Sequence, residues 1–134
     1  MVTGEWYNLI MPVTQEEVDK RLSEARNIWL SSVRHSGAPH LVPIWFVAHD
    51  GKFYLCTAPG SVKARNVRAN ERVALALEDG STPIIYEGRG CVLELKDTPQ
   101  TVIGHFKTKY DWDILTDNTY TVVIEVTPAK RLSW

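Results

Sequence analysis

The run Pro39-His-Leu-Val-Pro-Ile-Trp-Phe-Val-Ala48 constrains the fold of this chain more than any other stretch. It is apolar almost throughout, and a strand of that character is expected to be covered on both sides. Pro43 stands in its middle and brings no backbone N–H, so one ladder donor is missing there. The strand must lie at an edge, be bulged, or face something other than a neighbouring strand at that point. Two readings follow. A proline inside a buried strand leaves room for a planar ligand to meet backbone groups, or the strand is a bulged core strand with Trp45 filling the interior.

The rest of the chain is punctuated clearly. Thr14-Gln-Glu-Glu17 forms a capping box, which predicts a helix over 15–26 with Val18, Leu22 and Ala25 inward. A strand over 27–33 closes at Ser36-Gly37, and Asp50-Gly51 is a hairpin turn into a strand over 52–57. Ala58-Pro59-Gly60 breaks the chain, and Ser61 caps a short helix over 62–69. A strand over 72–78 ends at Asp79-Gly80. A long strand over 84–95 is interrupted by Gly88-Arg-Gly90, which permits the bulge or corner that closes a small barrel. Thr98-Pro99 opens a helix carrying Val102, Ile103 and Phe106. The last strand, over 119–126, places Tyr120, Val122, Ile124 and Val126 on one face. Six hairpin-connected strands with about three short helices predict a mainly β fold, a six-stranded antiparallel barrel with peripheral α. At 134 residues, without linker or repeat, residues 1–134 form one domain.

Composition excludes several functions. Fifteen Lys and Arg stand against sixteen Asp and Glu, a formal charge of −1, so a general nucleic-acid coat is not expected. No apolar run approaches a membrane span, and Met1 to Glu17 lacks an apolar core with a cleavage site. A soluble cytoplasmic protein that binds neither nucleic acid nor membrane is expected. Cys56 and Cys91 make no disulfide framework and are expected to be reduced, buried strand residues. His35, His40, His49 and His105 show no ligand spacing, so no metal is expected. Trp6, Trp112 and Trp134 are expected to cover apolar surface between subunits. No nucleophile–base set appears, and no catalytic residue is assigned. That favours a cofactor that carries the reaction itself.

Thr57-Ala-Pro-Gly-Ser-Val-Lys-Ala-Arg-Asn66 ends a strand, turns and opens a helix, whose first amides and dipole favour an anion. From Ser61 to Arg72 the four basic residues Lys63, Arg65, Arg68 and Arg72 face one acid, Glu71. Such a local excess suits the phosphate of a small ligand, with Lys63 as point charge and Ser61 as donor. The alternative is a capped, solvent-facing helix with hydrated charges.

In this order, the pieces resemble the pyridoxamine 5′-phosphate oxidase-related family of flavin-binding split β-barrels. The resemblance rests on 37–46, Tyr54-Leu-Cys-Thr57, Gly60-Ser-Val-Lys-Ala-Arg-Asn66, 70–75, Glu87-Gly-Arg-Gly90 and 128–134. It implies a homodimer with flavin mononucleotide (FMN) in each of two grooves between the chains. By that resemblance Val42, Pro43, Ile44 and Trp45 face the flavin ring through backbone groups. Thr57, Ser61, Val62 and Lys63 hold the phosphate and ribityl chain, with Arg65 and Asn66 nearby. Ile85 and Tyr86 approach the ring from across the groove, and Trp134 lies close to it. The implied function is an FMN-dependent oxidoreductase acting on a small-molecule redox substrate. The strand lacks the extra arginines of a true pyridoxamine phosphate oxidase, so that substrate is not expected. The short barrel is also similar to the branch using the deazaflavin coenzyme F-420, whose phosphate would meet Lys63 and whose acidic tail Arg65 and Arg68 would serve. A non-catalytic flavin or haem module is the third alternative.

Overall fold

The computed structural model describes residues 13–132. Helix α1 spans Gln15–Glu24, and the Thr14 hydroxyl accepts from the Glu17 N–H at 3.2 Å. It stops two residues short of the expected end because Ala25 turns extended. Strands β1 (Ile28–Val33), β2 (Pro39–Ile44), β3 (Phe46–His49) and β4 (Lys52–Thr57) follow, then α2 (Val62–Ala69). After β5 (Arg72–Ala76) and β6 (Ile85–Glu94) come α3 (Gln100–Tyr110) and β7 (Val122–Leu132). Pro99, not Thr98, occupies the cap of α3, while the Thr98 hydroxyl donates to the Glu94 carbonyl at 3.0 Å. β7 starts later than expected, since the Asp117 carboxylate takes the N–H groups of Thr119 and Tyr120, each at 2.8 Å. That Asx turn leaves Tyr120 outside the strand.

All seven strands form one antiparallel sheet in the order β2-β1-β5-β6-β7-β4-β3. The chain passes from one edge of this sheet to the other within a single residue, Trp45. The edges therefore meet there and the sheet curls into a split barrel. This is why seven strands appear where six are expected: the run 39–48 is two strands, pairing β1 and β4 respectively.

Pro43 takes the edge option. Arg34 N–H donates to Ala38 O, so 34 and 38 are a hydrogen-bonded pair, and by alternation Val33↔Pro39 and Trp29↔Pro43 are not. The nitrogens of Pro39 and Pro43 point away from β1, and no rung is lost. The run is not covered on both sides. Ile44 is buried, but Pro39, Leu41 and Pro43 are exposed because no layer lies over the outer face of β2 among the described residues.

Gly88 lies at a register shift opposite Pro128, where a Cβ would meet the Thr127 carbonyl oxygen and the Pro128 Cα at 2.9 Å. Only glycine lets β6 and β7 approach this closely. Ile28, Leu30, Phe46, Leu55, Leu75 and Ile124 fill the barrel. Val102, Phe106, Tyr110 and Ile114 cover Val47, Tyr54, Cys56 and Val123 on the other face. Cys56 is buried as expected, whereas Cys91 is exposed.

One side chain holds the edge-to-edge crossing. The Tyr110 hydroxyl accepts from the Phe46 N–H at 2.9 Å and lies 2.8 Å from the carbonyls of Phe46 and Arg26, to one of which it donates. Phe46 N–H, just past the break, has this hydroxyl as its partner. Tyr110→Phe is therefore expected to lower stability by about 1–3 kcal/mol, the cost of a buried, unsatisfied amide. Urea unfolding checks this, and an unchanged midpoint would show that Phe46 finds another acceptor.

Candidate functional site

The turn before α2 is built from its own side chains. Thr57 Oγ1 donates to Ser61 Oγ at 3.1 Å, and Ser61 Oγ caps the helix by accepting from the Ala64 N–H at 3.2 Å. Arg68 reaches back to donate to the Pro59 carbonyl at 2.7 Å, bracing the loop. Asn66 is buried and donates to Ser32 Oγ at 3.0 Å, docking α2 on β1. Both are thus committed to the scaffold.

Lys63 is half-buried, and burial pulls its pKa below the ordinary lysine value. No carboxylate lies within ion-pair distance of it among the described residues. Nearby, burial and the charges of Arg34 and Lys63 hold His40 below the ordinary histidine value. Its Nδ1 is buried without a hydrogen-bond partner. Arg34 and Lys63 thus concentrate positive potential at this corner, a setting that favours an anion.

Lys63 and Thr57 line a groove of about 650 Å3 that also takes in Pro43, Ile44 and Trp45 at the crossing. Its far wall is aromatic. Trp45 stacks on Tyr110 with centroids 4.5 Å apart and planes 7° from parallel. Trp112 meets Trp45 edge-on at 5.8 Å and Tyr120 at 5.9 Å. The Trp112 indole N–H donates to Asp117 at 3.2 Å, and the Arg26 guanidinium lies 4.6 Å from the Trp45 ring centroid. The groove thus joins Lys63 and Thr57 to flat aromatic walls, with Asp111 and Asp117 also on its lining and Asp117 engaged by the Trp112 indole, an arrangement for a planar molecule with an anionic tail.

Of the residues singled out in the sequence, Pro43, Ile44, Trp45, Thr57 and Lys63 line this one groove. Ser61 lies just behind, bonded to Thr57. Val42 pairs with Leu30 and turns to the barrel side; Val62 opens α2 half-buried; Arg65 is exposed on the same helix. Ile85 and Tyr86 do not line the groove of this chain. Ile85 pairs with Ala76 on the outer face, while Tyr86 turns inward, its ring 4.9 Å from Phe53. Trp134 and Trp6 lie outside the described residues.

Sequence reasoning missed Arg26, Tyr110 and Tyr120, and it placed Trp112 only on a surface. One available signal was Tyr110-Asp-Trp112 at the end of a helix, where Asp111 takes a left-handed φ of 52° and Trp112 packs against Phe106 and Trp45.

Cys56 borders the groove with its thiol directed at the Tyr120 carbonyl, 3.5 Å away, and burial pushes its pKa up to about 12. Alkylation of the native protein at pH 8 is expected to modify Cys91 alone, with Cys56 reacting only in denaturant. Peptide mass spectrometry reads the difference, and native labelling of Cys56 would contradict a closed groove floor.

The comparisons agree with this fold. Residues 14–134 match the family model described as pyridoxamine 5′-phosphate oxidase. No curated protein matches the chain. Among solved structures, a conserved hypothetical protein from Mycobacterium tuberculosis is 24% identical with a TM-score of 0.73, covering 90% of this chain and 84% of that one. The heme storage protein HutZ from Vibrio cholerae is 17% identical with a TM-score of 0.73, over 90% and 92% of the two chains. An F-420 reductase is 24% identical with a TM-score of 0.64, over 85% and 94%. These likenesses show a shared fold. With a family match that spans nearly the whole sequence, they establish that this chain belongs to the pyridoxamine 5′-phosphate oxidase family.

Proposed function

We propose that this protein is an FMN-dependent oxidoreductase acting on a small-molecule redox substrate, and that it works as a homodimer. The observation that carries the reading is the half-buried Lys63, without a carboxylate partner among the described residues, at one end of a groove whose other end is flat and aromatic. The residues present fit such a group: the half-buried Lys63, with Arg34 adding to the positive charge of this corner, favours a phosphate, and the aromatic walls suit a ring. When bound, the flavin ring supplies the hydride or electron transfer.

The chain's own residues bind and orient. Lys63 holds the phosphate, and the Ser61 hydroxyl, which accepts from Thr57 and from the Ala64 N–H, keeps its own proton to donate on the same side. The carbonyl of Pro43 points off the free edge of β2 and offers an acceptor to a ring N–H. Trp45, braced by Tyr110 and Arg26, limits where the ring can lie and keeps water from one wall.

A second copy would complete the groove. Trp29, Leu41, Pro43, Ala76 and Ile85 share the outer face of β2, β1, β5 and β6, and Leu41 there is 60% exposed. Ile85 would then reach the partner's ring side rather than its own. Coenzyme F-420 is the second reading. Arg65, exposed on α2 two residues beyond Lys63 and without an ion-pair partner among the described residues, would meet its acidic tail.

Fluorescence titration tests the assignment. FMN is expected to bind at micromolar concentration or tighter, and Lys63→Ala to weaken it about 10- to 100-fold, the loss of one charge-assisted phosphate contact. Riboflavin, lacking the phosphate, should bind the two proteins alike. Tighter binding of F-420 would select the second reading, and failure of both coenzymes to bind would refute the site. Anaerobic reduction by a nicotinamide donor, followed by reoxidation with candidate acceptors, separates an enzyme from a storage module.

A further inference from the structure

A second cavity, of about 620 Å3, is bounded by α1, the β3–β4 hairpin and α3, and it shares no lining residue with the groove. Leu22, Val47 and Phe53 give it an apolar floor. Its other end collects Lys109, His49 and His105, the two imidazole rings lying 5.4 Å apart.

Lys109 is the unusual group. Its ammonium donates to the carbonyls of Leu22 and Phe46, each at 3.1 Å, and sits 3.9 Å from the Phe46 ring centroid. No carboxylate lies within ion-pair distance of it among the described residues. Burial and the neighbouring Arg26 charge pull its pKa down to about 8. Two of its three N–H groups are used, and its charge lacks a counter-ion in a half-buried place. His49 is half-buried and His105 exposed, and neither ring has a side-chain hydrogen-bond partner among the described residues, so both are open to an incoming acceptor. Two acids also line the cavity, but neither lies within ion-pair distance of Lys109: Asp19 is held by the Gln15 amide at 2.8 Å, and Asp50 is exposed at the hairpin turn.

We propose that this cavity binds a small organic carboxylate, its apolar body on Leu22, Val47 and Phe53 and its anionic head between Lys109, His49 and His105. The head supplies the counter-charge that Lys109 lacks and accepts from the imidazoles, while the floor loses water to the body. The site is independent of the coenzyme reading, because no residue is common to both.

Benzoate is the probe, titrated into the full-length protein by calorimetry or by amide chemical shifts, with benzyl alcohol as the uncharged control. Saturable millimolar-or-tighter binding is expected, weakened about tenfold or more in Lys109→Met through loss of a charge-assisted contact. His105→Gln, on an exposed helix position, should weaken binding several-fold and keeps the test decisive if Lys109→Met fails to fold. Absence of saturation, equal affinity in the variants, equal binding of benzyl alcohol, or displacement of benzoate by FMN would each overturn the proposal. FMN failing to bind while benzoate still does would refute only the coenzyme reading.

Discussion

The hydrogen bond between the Tyr110 hydroxyl and the Phe46 amide supports more of this structure than its size suggests. A sheet that curls on itself must let the chain leave one edge and join the other, and the backbone groups at the crossing lose their ladder partners. Here the crossing occupies one residue, Trp45, and a hydroxyl from the end of α3 takes the amide that follows. Lys109, the preceding residue of the helix, grips the Phe46 carbonyl as well. With the backbone satisfied from outside the sheet, Trp45 can be presented to the groove instead of being absorbed into a continuous strand.

The groove gathers its properties from separate parts of the fold. β4 and the start of α2 contribute hydroxyls and Lys63, the crossing contributes Pro43 to Trp45, and the segment after α3 closes the aromatic wall. Burial without a counter-charge makes Lys63 responsive to an anion, whereas the scaffold arginine and asparagine of the same helix already have partners. One short helix thus divides its polar residues between holding the turn in place and leaving a charge available.

Much of this was legible locally. Thr57, Ser61 and Lys63 sit where strand-end and cap chemistry place them, and α2 has the expected limits because its start is set by a side chain three residues from its target. The break at Trp45 was not legible, since the tyrosine that stabilises it is 64 residues away in sequence. Pattern alone joins 39–48 into one strand. The aromatic wall was hidden for the same reason: Trp112 and Tyr120 reach Trp45 through a left-handed Asp111 and an Asx turn at Asp117, which read as ordinary loop residues. The register of Pro43 was also invisible until the hairpin fixed which pairs were bonded.

That register has a consequence for life in a crowded solution. Along 39–43 the outward side of β2 shows the carbonyls of Pro39, Leu41 and Pro43 but a single N–H, that of Leu41. An open strand normally recruits stray strands into fibrillar stacks because it offers donors and acceptors in alternation. Two imino acids at the solvent-directed nitrogens spoil that alternation, so this margin, apolar as it is, makes a poor seed for aggregation.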